Sequence, residues 1–190
     1  RFTAATAVHF IHAPRPGRRL LVLDLDHTLL DFSSSAADRR GTRRPGMDAF
    51  LAAAWEDFDL CVWSQTSWRW LEVKLTELGM LVHPLYRISF VLDKTSMFSI
   101  VSTDHKGRDK KHQVKPLQII WTKFEGQWGP HNTLHIDDLQ RNFALNPKNG
   151  IKIKPYYRKE RGEEDRELHR LAMYLKTLCL DPATAGDLTR

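Results

Sequence analysis

Cysteine is scarce in this chain, whose 190 residues include two, Cys61 and Cys179. Two thiols, one in an apolar run and one in a helix-like segment, do not make a disulfide scaffold. We therefore expect buried thiols and a reducing compartment. Clusters of cysteine and histidine at the spacing of zinc ligands are also missing from the sequence, which argues against a zinc site.

Long apolar runs are missing as well, since no stretch approaches the ~20 residues that a membrane helix needs. The opening segment is interrupted by His9 and His12, which argues against a signal peptide. We therefore expect no membrane partner. The length suits one domain with a sizeable core, and the first residue, Arg1, indicates a fragment of a longer protein.

Positive charge exceeds negative charge, with 29 Lys and Arg against 23 Asp and Glu and a formal net charge of +6. Basic clusters stand at residues 39–44, 105–112 and 152–161. Such clusters are most often solvated loops, and their functional interpretation is attraction of an acidic or phosphorylated partner. Nucleic acid is not expected as a partner, because no zinc spacing or RNA-recognition signature accompanies the charge.

Apolar runs typical of strands alternate with helical patterns along the chain. Strands are predicted at residues 20–24, 59–63, 86–93, 133–138 and 150–157, the one at 86–93 as part of a small hairpin. Helices are predicted at residues 47–57, 67–80, 139–145 and 163–180. This alternation predicts an α/β domain with a central parallel sheet.

Polar side chains follow three of the predicted strands. Asp24 and Asp26 follow the first, Ser64 follows the second, and Asp137 and Asp138 end a third. Open α/β sheets bind ligands at the carboxyl ends of their strands. Carboxylates held close repel one another unless a cation bridges them or one keeps a proton. Several carboxylates at one edge make an oxygen-rich site of the kind that Mg²⁺ prefers.

These residues carry a resemblance to a known family. DLDHT (24–28) resembles the first motif of the haloacid dehalogenase superfamily, Ser64 in VWSQTS the second, Lys115 in VKPL the third, and HIDD (135–138) the fourth. Their order and spacing resemble the FCP/SCP protein phosphatases. Within that family, the block DLQRNFALNPKNG is most similar to the members that also carry a ubiquitin-like domain. The resemblance runs from about residue 18 to about residue 178.

The resemblance implies a haloacid dehalogenase-like, Rossmannoid three-layer domain with a small β-hairpin insert and no cap domain. We expect residues 1–17 to be an N-terminal extension and residues 18–190 to be the phosphatase domain, without the ubiquitin-like domain. The resemblance also implies a nuclear protein serine/threonine phosphatase. We expect a monomer. Its implied substrates are phosphoproteins, either the proteasome or the tail of RNA polymerase II.

The resemblance also implies roles for individual residues. Asp24 is the implied nucleophile, forming an aspartyl-phosphate, and Asp26 is the implied general acid and base. The metal ligands implied for Mg²⁺ are Asp24, the backbone carbonyl of Asp26, and Asp138. Ser64 and Lys115 are expected to bind and neutralise the phosphoryl group. For Ser64, the nearby Thr66 is an alternative.

Two further residues are candidates for contact with the substrate. Thr28 closes the first motif, although a role in fixing the loop is the stronger interpretation. Arg44, before Pro45, is placed to steer a phosphopeptide, but it is equally compatible with an ordinary loop residue.

Two other classes of function remain open from the sequence. One is a small-molecule phosphatase of the same superfamily, for which a cap domain over the site would be the mark. The other is a non-catalytic binding module of the same fold, similar to a mitochondrial import receptor domain. Loss of either early aspartate would favour the binding module, and both Asp24 and Asp26 are present.

Overall fold

The protein is described here by a computed structural model that covers residues 6–33, 39–103 and 106–189. Its strands are β1 (His9–Phe10), β2 (Arg19–Leu23), β3 (Phe58–Trp63), β4 (Ile88–Leu92), β5 (Phe98–Thr103), β6 (Asp109–Val114), β7 (Thr133–Asp137) and β8 (Gly150–Lys152). Six of them form one sheet in the order β1-β4-β3-β2-β7-β8, in which β1 is antiparallel to β4 and the other neighbours are parallel. The predicted central parallel sheet is therefore confirmed.

Helices cover both faces of this sheet. They are α1 (Met47–Asp57), α2 (Trp68–Glu77), α3 (Gln118–Lys123), α4 (Arg158–Arg161) and α5 (Glu167–Leu180). Side chains of α1, α2 and α5 pack with Leu21 and Leu23 on one face, while α3 packs with Leu20 and Val22 on the other. The apolar run of β2 is thus buried on both sides, as expected for a central parallel strand. The result is the predicted three-layer domain.

The strand predicted at residues 86–93 has a different place from the one expected. It forms β4, which is buried along its whole length between β3 and β1 instead of belonging to a hairpin. Phe90 packs on one face of the sheet and Val91 on the other, so both faces of β4 are buried. The polar residue Ser89 therefore does not mark a face exposed to solvent. The carbonyl of Ser89 accepts the amides of Ile11 and His12 at 2.9 and 3.0 Å, which secures the edge strand beside it.

The hairpin lies further along the chain. Strands β5 and β6 pair with each other in an antiparallel two-stranded sheet, and β6 includes residues 109–112 of the basic segment before Lys115. Its inward face carries Phe98 and Val114, while Val101 and Lys111 pair on its exposed face. Because β6 ends one residue before Lys115, the hairpin stands directly beside the third motif.

Several predicted boundaries shift at the ends of elements. The helix predicted at 67–80 ends at Glu77, and the chain turns at Gly79, whose φ is 68°. The short helix predicted at 139–145 is a 3₁₀ helix, Gln140–Phe143. The last predicted strand is reduced to β8, and the closing helix begins at Glu167 after a 3₁₀ turn.

The segment before β2 is attached to the sheet by more than β1. Arg15 donates its Nε and backbone amide to the two carboxylate oxygens of Asp59, each at 2.7 Å. Asp59 is 1% exposed at the start of β3, so this ion pair holds the N-terminal segment against the domain. Among the described residues, none of the helices combines the length and the apolar character that crossing a bilayer requires.

Candidate active site

The predicted site residues meet at the carboxyl end of the parallel strands. Leu23 lies opposite Ile136 in the β2–β7 ladder, and the Asp24 amide donates to the Ile136 carbonyl at 2.9 Å. This register brings the first residue after β2 beside Asp137 and Asp138 at the end of β7. Ser64 follows β3 on the other side of β2, and its amide donates to the carbonyl of Leu92 at 3.1 Å.

Three carboxylates form an acidic cluster at this edge. Asp24, Asp137 and Asp138 each offer a carboxylate oxygen, and the three oxygens lie within 4.8 Å of one another. The ammonium of Lys115 lies 2.5 Å from Asp24 Oδ1 and 2.7 Å from Asp137 Oδ2. Three carboxylates can carry more negative charge than one lysine offsets. Their hard oxygen donors therefore fit a divalent cation.

The residues of the acidic cluster differ in the direction in which their pKa values are shifted. Burial raises the pKa of Asp24 to about 7 against the lowering effect of Lys115, with a further contribution from the charge on Asp137. Burial also acts to raise the pKa of Asp137, but Lys115 and His135 together hold it well below its usual range. Burial acts to lower the pKa of Lys115, and its two carboxylate partners raise it above the ordinary value. Lys115 and Asp137 are therefore a charged pair, and Asp24 is the group whose ionisation depends on nearby positive charge.

Asp138 completes the cluster from a more open position. It is 8% exposed, and its pKa is raised by burial and by the charge on Asp137. A bound cation would offset the repulsion that raises the pKa values of both Asp24 and Asp138. The residues present thus fit a divalent metal by number, chemistry and charge.

Asp26 lies beside this cluster, and its carboxylate belongs to a different set of contacts. Its side chain is 31% exposed. Its Oδ2 accepts from Ser64 Oγ at 3.5 Å, and its Oδ1 accepts from Lys74 Nζ at 3.4 Å. The carboxylate is therefore separate from the three that can hold a metal, which leaves it available for proton transfer.

Ser64 is fully buried and connects the second motif to the first. Its hydroxyl accepts the amide of Thr66 at 3.1 Å while facing Asp26. The hydroxyl of Thr66 instead accepts from Lys74 Nζ at 3.3 Å. The structure therefore brings Ser64, and not the side chain of Thr66, into contact with an aspartate of the first motif.

Two residues predicted to contact substrate are buried. Thr28 is fully buried and donates its hydroxyl to Asp24 Oδ2 at 3.1 Å, which helps to orient the carboxylate. Arg44 is 1% exposed, and its Nε and Nη2 donate to the two oxygens of Asp165 at 2.9 and 3.0 Å. Its Nη1 donates to the carbonyl of Thr28 at 3.1 Å. The guanidinium of Arg44 is thus occupied inside the protein, which favours a supporting role, and its substrate-binding role stays a prediction.

The structure also adds residues that the sequence did not single out. Asn142 donates its Nδ2 to Asp137 Oδ2 at 2.7 Å, and its carbonyl accepts the amide of Lys115 at 3.2 Å. His135 is fully buried with Nε2 3.5 Å from Asp137 Oδ2, and burial lowers its pKa. Asn142 lies within the block DLQRNFALNPKNG, which was a usable signal. Lys74 lies on α2, and nothing in its local sequence distinguishes it from a surface lysine.

His27 holds the unusual backbone of the first motif. Its φ is 62°, a left-handed conformation that a residue with a side chain seldom adopts. Its amide donates to the Leu30 carbonyl and its carbonyl accepts the amide of Tyr156, both at 2.7 Å. These bonds fix the turn that carries Asp24 and Asp26.

Comparison with known proteins gives relatives over most of this chain. The NIF family of NLI interacting factor-like phosphatases matches residues 19–185. Two curated relatives are ubiquitin-like domain-containing CTD phosphatase 1 of Danio rerio, 42% identical, and of Homo sapiens, 40% identical. Each match extends over 172 residues, covering 90% of this chain and 53% of the relative. The chain therefore spans about half the length of these curated relatives.

A solved structure supports the fold. It is that of a variant of the fission yeast RNA polymerase II CTD phosphatase Fcp1 bound to beryllium fluoride, with a TM-score of 0.57. The match covers 85% of this chain and 62% of that chain at 17% identity, so it carries the fold alone. It supports the predicted α/β fold class with a central parallel sheet. The family match over residues 19–185 shows that the chain belongs to the NLI interacting factor-like phosphatases.

Proposed function

We propose that this domain is a Mg²⁺-dependent protein serine/threonine phosphatase that works through an aspartyl-phosphate on Asp24. The observation that carries the proposal is the placement of Asp24. Its carboxylate is held by Lys115 at 2.5 Å and Thr28 at 3.1 Å, inside a cluster of three acids at the ligand-binding edge of the sheet. Asp26 stands two residues further along with a partly exposed carboxyl group.

The first step of the proposed reaction transfers the phosphoryl group to the protein. Asp24 attacks phosphorus, the bond from phosphorus to the substrate oxygen breaks, and Asp26 gives its proton to that leaving oxygen. Hydrolysis of a phosphate monoester is among the slowest reactions in water, and enzymes accelerate it by up to ~10²¹-fold. Division into two steps and protonation of the leaving group each lower the barrier.

The second step releases phosphate. Asp26, now ionised, takes a proton from a water molecule as that water attacks the phosphorus of the aspartyl-phosphate. The bond from phosphorus to Asp24 breaks, which restores both carboxyl groups to their starting states. Ser64 and Lys115 are placed to bind the phosphoryl oxygens, and Lys115 also offsets the charge of Asp24.

Asp24 and Asp138 are the proposed side-chain ligands of the metal, together with the carbonyl of Asp26, and Asp137 lies beside them. A bound Mg²⁺ would neutralise phosphate charge and orient the phosphoryl group for attack. Asn142 and the Leu139 amide, at 2.7 and 2.8 Å, hold Asp137 in place. This support keeps the acidic edge ordered.

The surroundings of the site favour a protein substrate over a metabolite. Between α2 and Lys115, the described chain forms β4, a 3₁₀ turn and the β5–β6 hairpin, with no folded lid among them. Small-molecule sites enclose most of their ligand. An open edge of the sheet instead admits a phosphorylated side chain that projects from an extended polypeptide.

Two cellular substrates are proposed from similarity. The names of the relatives point to the C-terminal tail of RNA polymerase II, and the resemblance of the motifs to the members with a ubiquitin-like domain adds the proteasome. From the same resemblance we propose a nuclear location. We also propose that the domain acts as a monomer.

The test is a substrate panel at fixed Mg²⁺ concentration: a phosphoserine protein, a short phosphoserine peptide, free phosphoserine, sugar phosphates and nucleotides. We expect the highest kcat/KM for the polypeptides and no turnover by Asp24→Asn. A metabolite that exceeds every phosphopeptide would replace this proposal with a small-molecule phosphatase. Tight binding of phosphopeptides without turnover of any ester would replace it with a binding module.

A further inference from the structure

Lys74 approaches the site from α2 and makes three contacts with its ammonium group. The nitrogen lies 3.4 Å from Asp26 Oδ1, 3.3 Å from Thr66 Oγ1, and 3.5 Å from the centre of the Phe32 ring. An ammonium has three donors, and these contacts account for them, with the ring acting through its negative face. The side chain is 20% exposed, so it lies folded over Phe32 instead of extending into solvent.

Each oxygen of Asp26 has its own partner. Ser64, which is fully buried, contacts Oδ2, and Lys74 contacts Oδ1. A carboxyl group that is 31% exposed would otherwise rotate toward water. A general acid must stay within hydrogen-bond reach of the leaving oxygen, since small displacements cost large factors in rate.

We propose that Lys74 is a positioning residue for proton transfer, holding the Asp26 carboxyl group against the leaving oxygen of the substrate. The inference rests on the phosphatase function proposed above. Lys74 does not touch the reacting atoms in this arrangement. Its effect passes through Asp26, and Phe32 and Thr66 fix the position from which it acts.

This role predicts that the effect of replacing Lys74 on kcat/KM depends on the leaving group of the substrate. Protonation matters greatly for a phenolate that leaves poorly and little for p-nitrophenolate, which is stable as an anion. Phenyl phosphate and p-nitrophenyl phosphate have nearly the same size and charge, so they report proton transfer with little difference in binding. The quantity to measure is kcat/KM, because it includes the step in which the bond to the leaving oxygen breaks.

We expect Lys74→Met to lower kcat/KM for phenyl phosphate by about thirtyfold and for p-nitrophenyl phosphate by less than about threefold. Lys74→Arg keeps a cation over Phe32 and should recover a large part of the loss. The ratio of the two substrates within one preparation does not depend on the fraction of folded protein. Lys74→Gln provides a second variant in case the methionine substitution lowers the yield of folded protein.

Lys176→Met is the matched control. Lys176 also lies on a helix and bonds to two carboxylates, Glu56 and Asp57, at 3.1 and 3.0 Å on α1. Its loss should leave the substrate ratio unchanged. In an Asp26→Asn background, Lys74→Met should change the ratio no further, because the group that it positions is already removed.

Equal losses for both aryl phosphates would overturn the inference and assign Lys74 to substrate binding or to folding. An unchanged ratio in both Lys74→Met and Lys74→Gln would overturn it as well. These results differ from those expected if the protein had no phosphatase activity, in which case the unmodified protein would turn over neither ester. They also differ from those of a small-molecule phosphatase, which the substrate panel above identifies by its preference for metabolites.

Discussion

Lys115 Nζ lies 2.5 Å from Asp24 Oδ1, and the same ammonium lies 2.7 Å from Asp137 Oδ2. One buried cation therefore serves two carboxylates, while Asp138 adds a third acid within 4.8 Å of both. The lysine cannot balance this cluster alone. The lysine, with His135, holds the pKa of Asp137 low, whereas burial raises the pKa of Asp24 against the effect of the same lysine. This arrangement leads to expectations for activity, pH and metal binding.

The first expectation concerns the two aspartates of the first motif. Asp24→Asn removes the nucleophile while keeping the shape of the side chain, so turnover should fall to background. Asp26→Asn should lower kcat by about 10²–10⁴-fold through loss of proton transfer. Release of phosphate from a phosphoserine peptide measures both, with circular dichroism as the check on folding. Near-normal turnover by Asp24→Asn would exclude the aspartyl-phosphate mechanism.

The second expectation is that the metal-free protein becomes less stable as pH rises, because Asp24 ionises in the folded state. The pKa of Asp24 is about 7 when folded against an ordinary value of 3.8, so the folded state retains a proton that the unfolded state has lost. Its stabilising contribution is present at low pH and is lost as pH rises through about 7, at roughly 1 kcal/mol per pH unit or less. Melting in chelator from pH 5 to pH 8 measures this contribution.

Asp24→Asn provides the comparison for that experiment, because it cannot ionise. Its melting temperature should exceed that of the unmodified protein by a margin that grows from pH 5 to about pH 7 and then levels off, and Mg²⁺ should reduce this margin. A gap that stays constant across the pH range would show that ionisation of Asp24 does not destabilise the folded state.

The third expectation follows from the buried pair Arg44–Asp165. Arg44→Met leaves the Asp165 carboxylate without its guanidinium, and loss of one partner of a buried pair costs about 3–5 kcal/mol of unfolding free energy. Urea unfolding measures the loss. The exposed Arg141→Met is the control and should change stability by less than about 0.5 kcal/mol.

The same variant tests the predicted substrate-binding role of Arg44. KM of Arg44→Met for phosphopeptides should be almost unchanged, because the guanidinium is buried. A large rise in KM at unchanged stability would support the substrate-binding role.

The fourth expectation is metal dependence. Chelation should abolish turnover, and added Mg²⁺ should restore it. Ca²⁺ should bind without supporting turnover, since its longer bonds and larger ligand number disturb in-line geometry. Beryllium fluoride should inhibit by mimicking the phosphoryl group on Asp24. Full activity in excess chelator would contradict the proposed metal site.

The fifth expectation concerns the basic β5–β6 hairpin. Lys110 and Lys111 are exposed on β6, a few residues before Lys115. The double substitution Lys110→Glu with Lys111→Glu should raise KM several-fold for phosphopeptides with acidic flanks, and higher salt should diminish the difference. Peptides with neutral flanks and p-nitrophenyl phosphate are the controls and should respond little. An equal effect on all substrates would contradict a role in holding acidic neighbours.

The local sequence determined the central architecture. Runs such as residues 20–23 are apolar without alternation, as in a strand buried on both faces, and parallel packing of such strands brings the acids that follow them to one edge of the sheet. The helix at Met47–Asp57 was predicted at its observed bounds. The strand at 86–93 was misplaced because polar residues interrupt its apolar run, a pattern that fits a half-exposed strand as well as a central one.

The motifs also indicated the acids of the site, because the strands that carry them are parallel neighbours. Tertiary structure decided which cation each acid meets. Lys115 is 91 residues from Asp24, Lys74 is 48 from Asp26, and Asp165 is 121 from Arg44. Periodicity reports only which face of an element is buried, and such distant pairs depend on how helices and loops cross the sheet. Arg44, a candidate for phosphopeptide contact from the sequence, therefore pairs with Asp165 inside the protein. Lys74, which its local sequence does not distinguish from a surface lysine, contacts the proposed general acid Asp26.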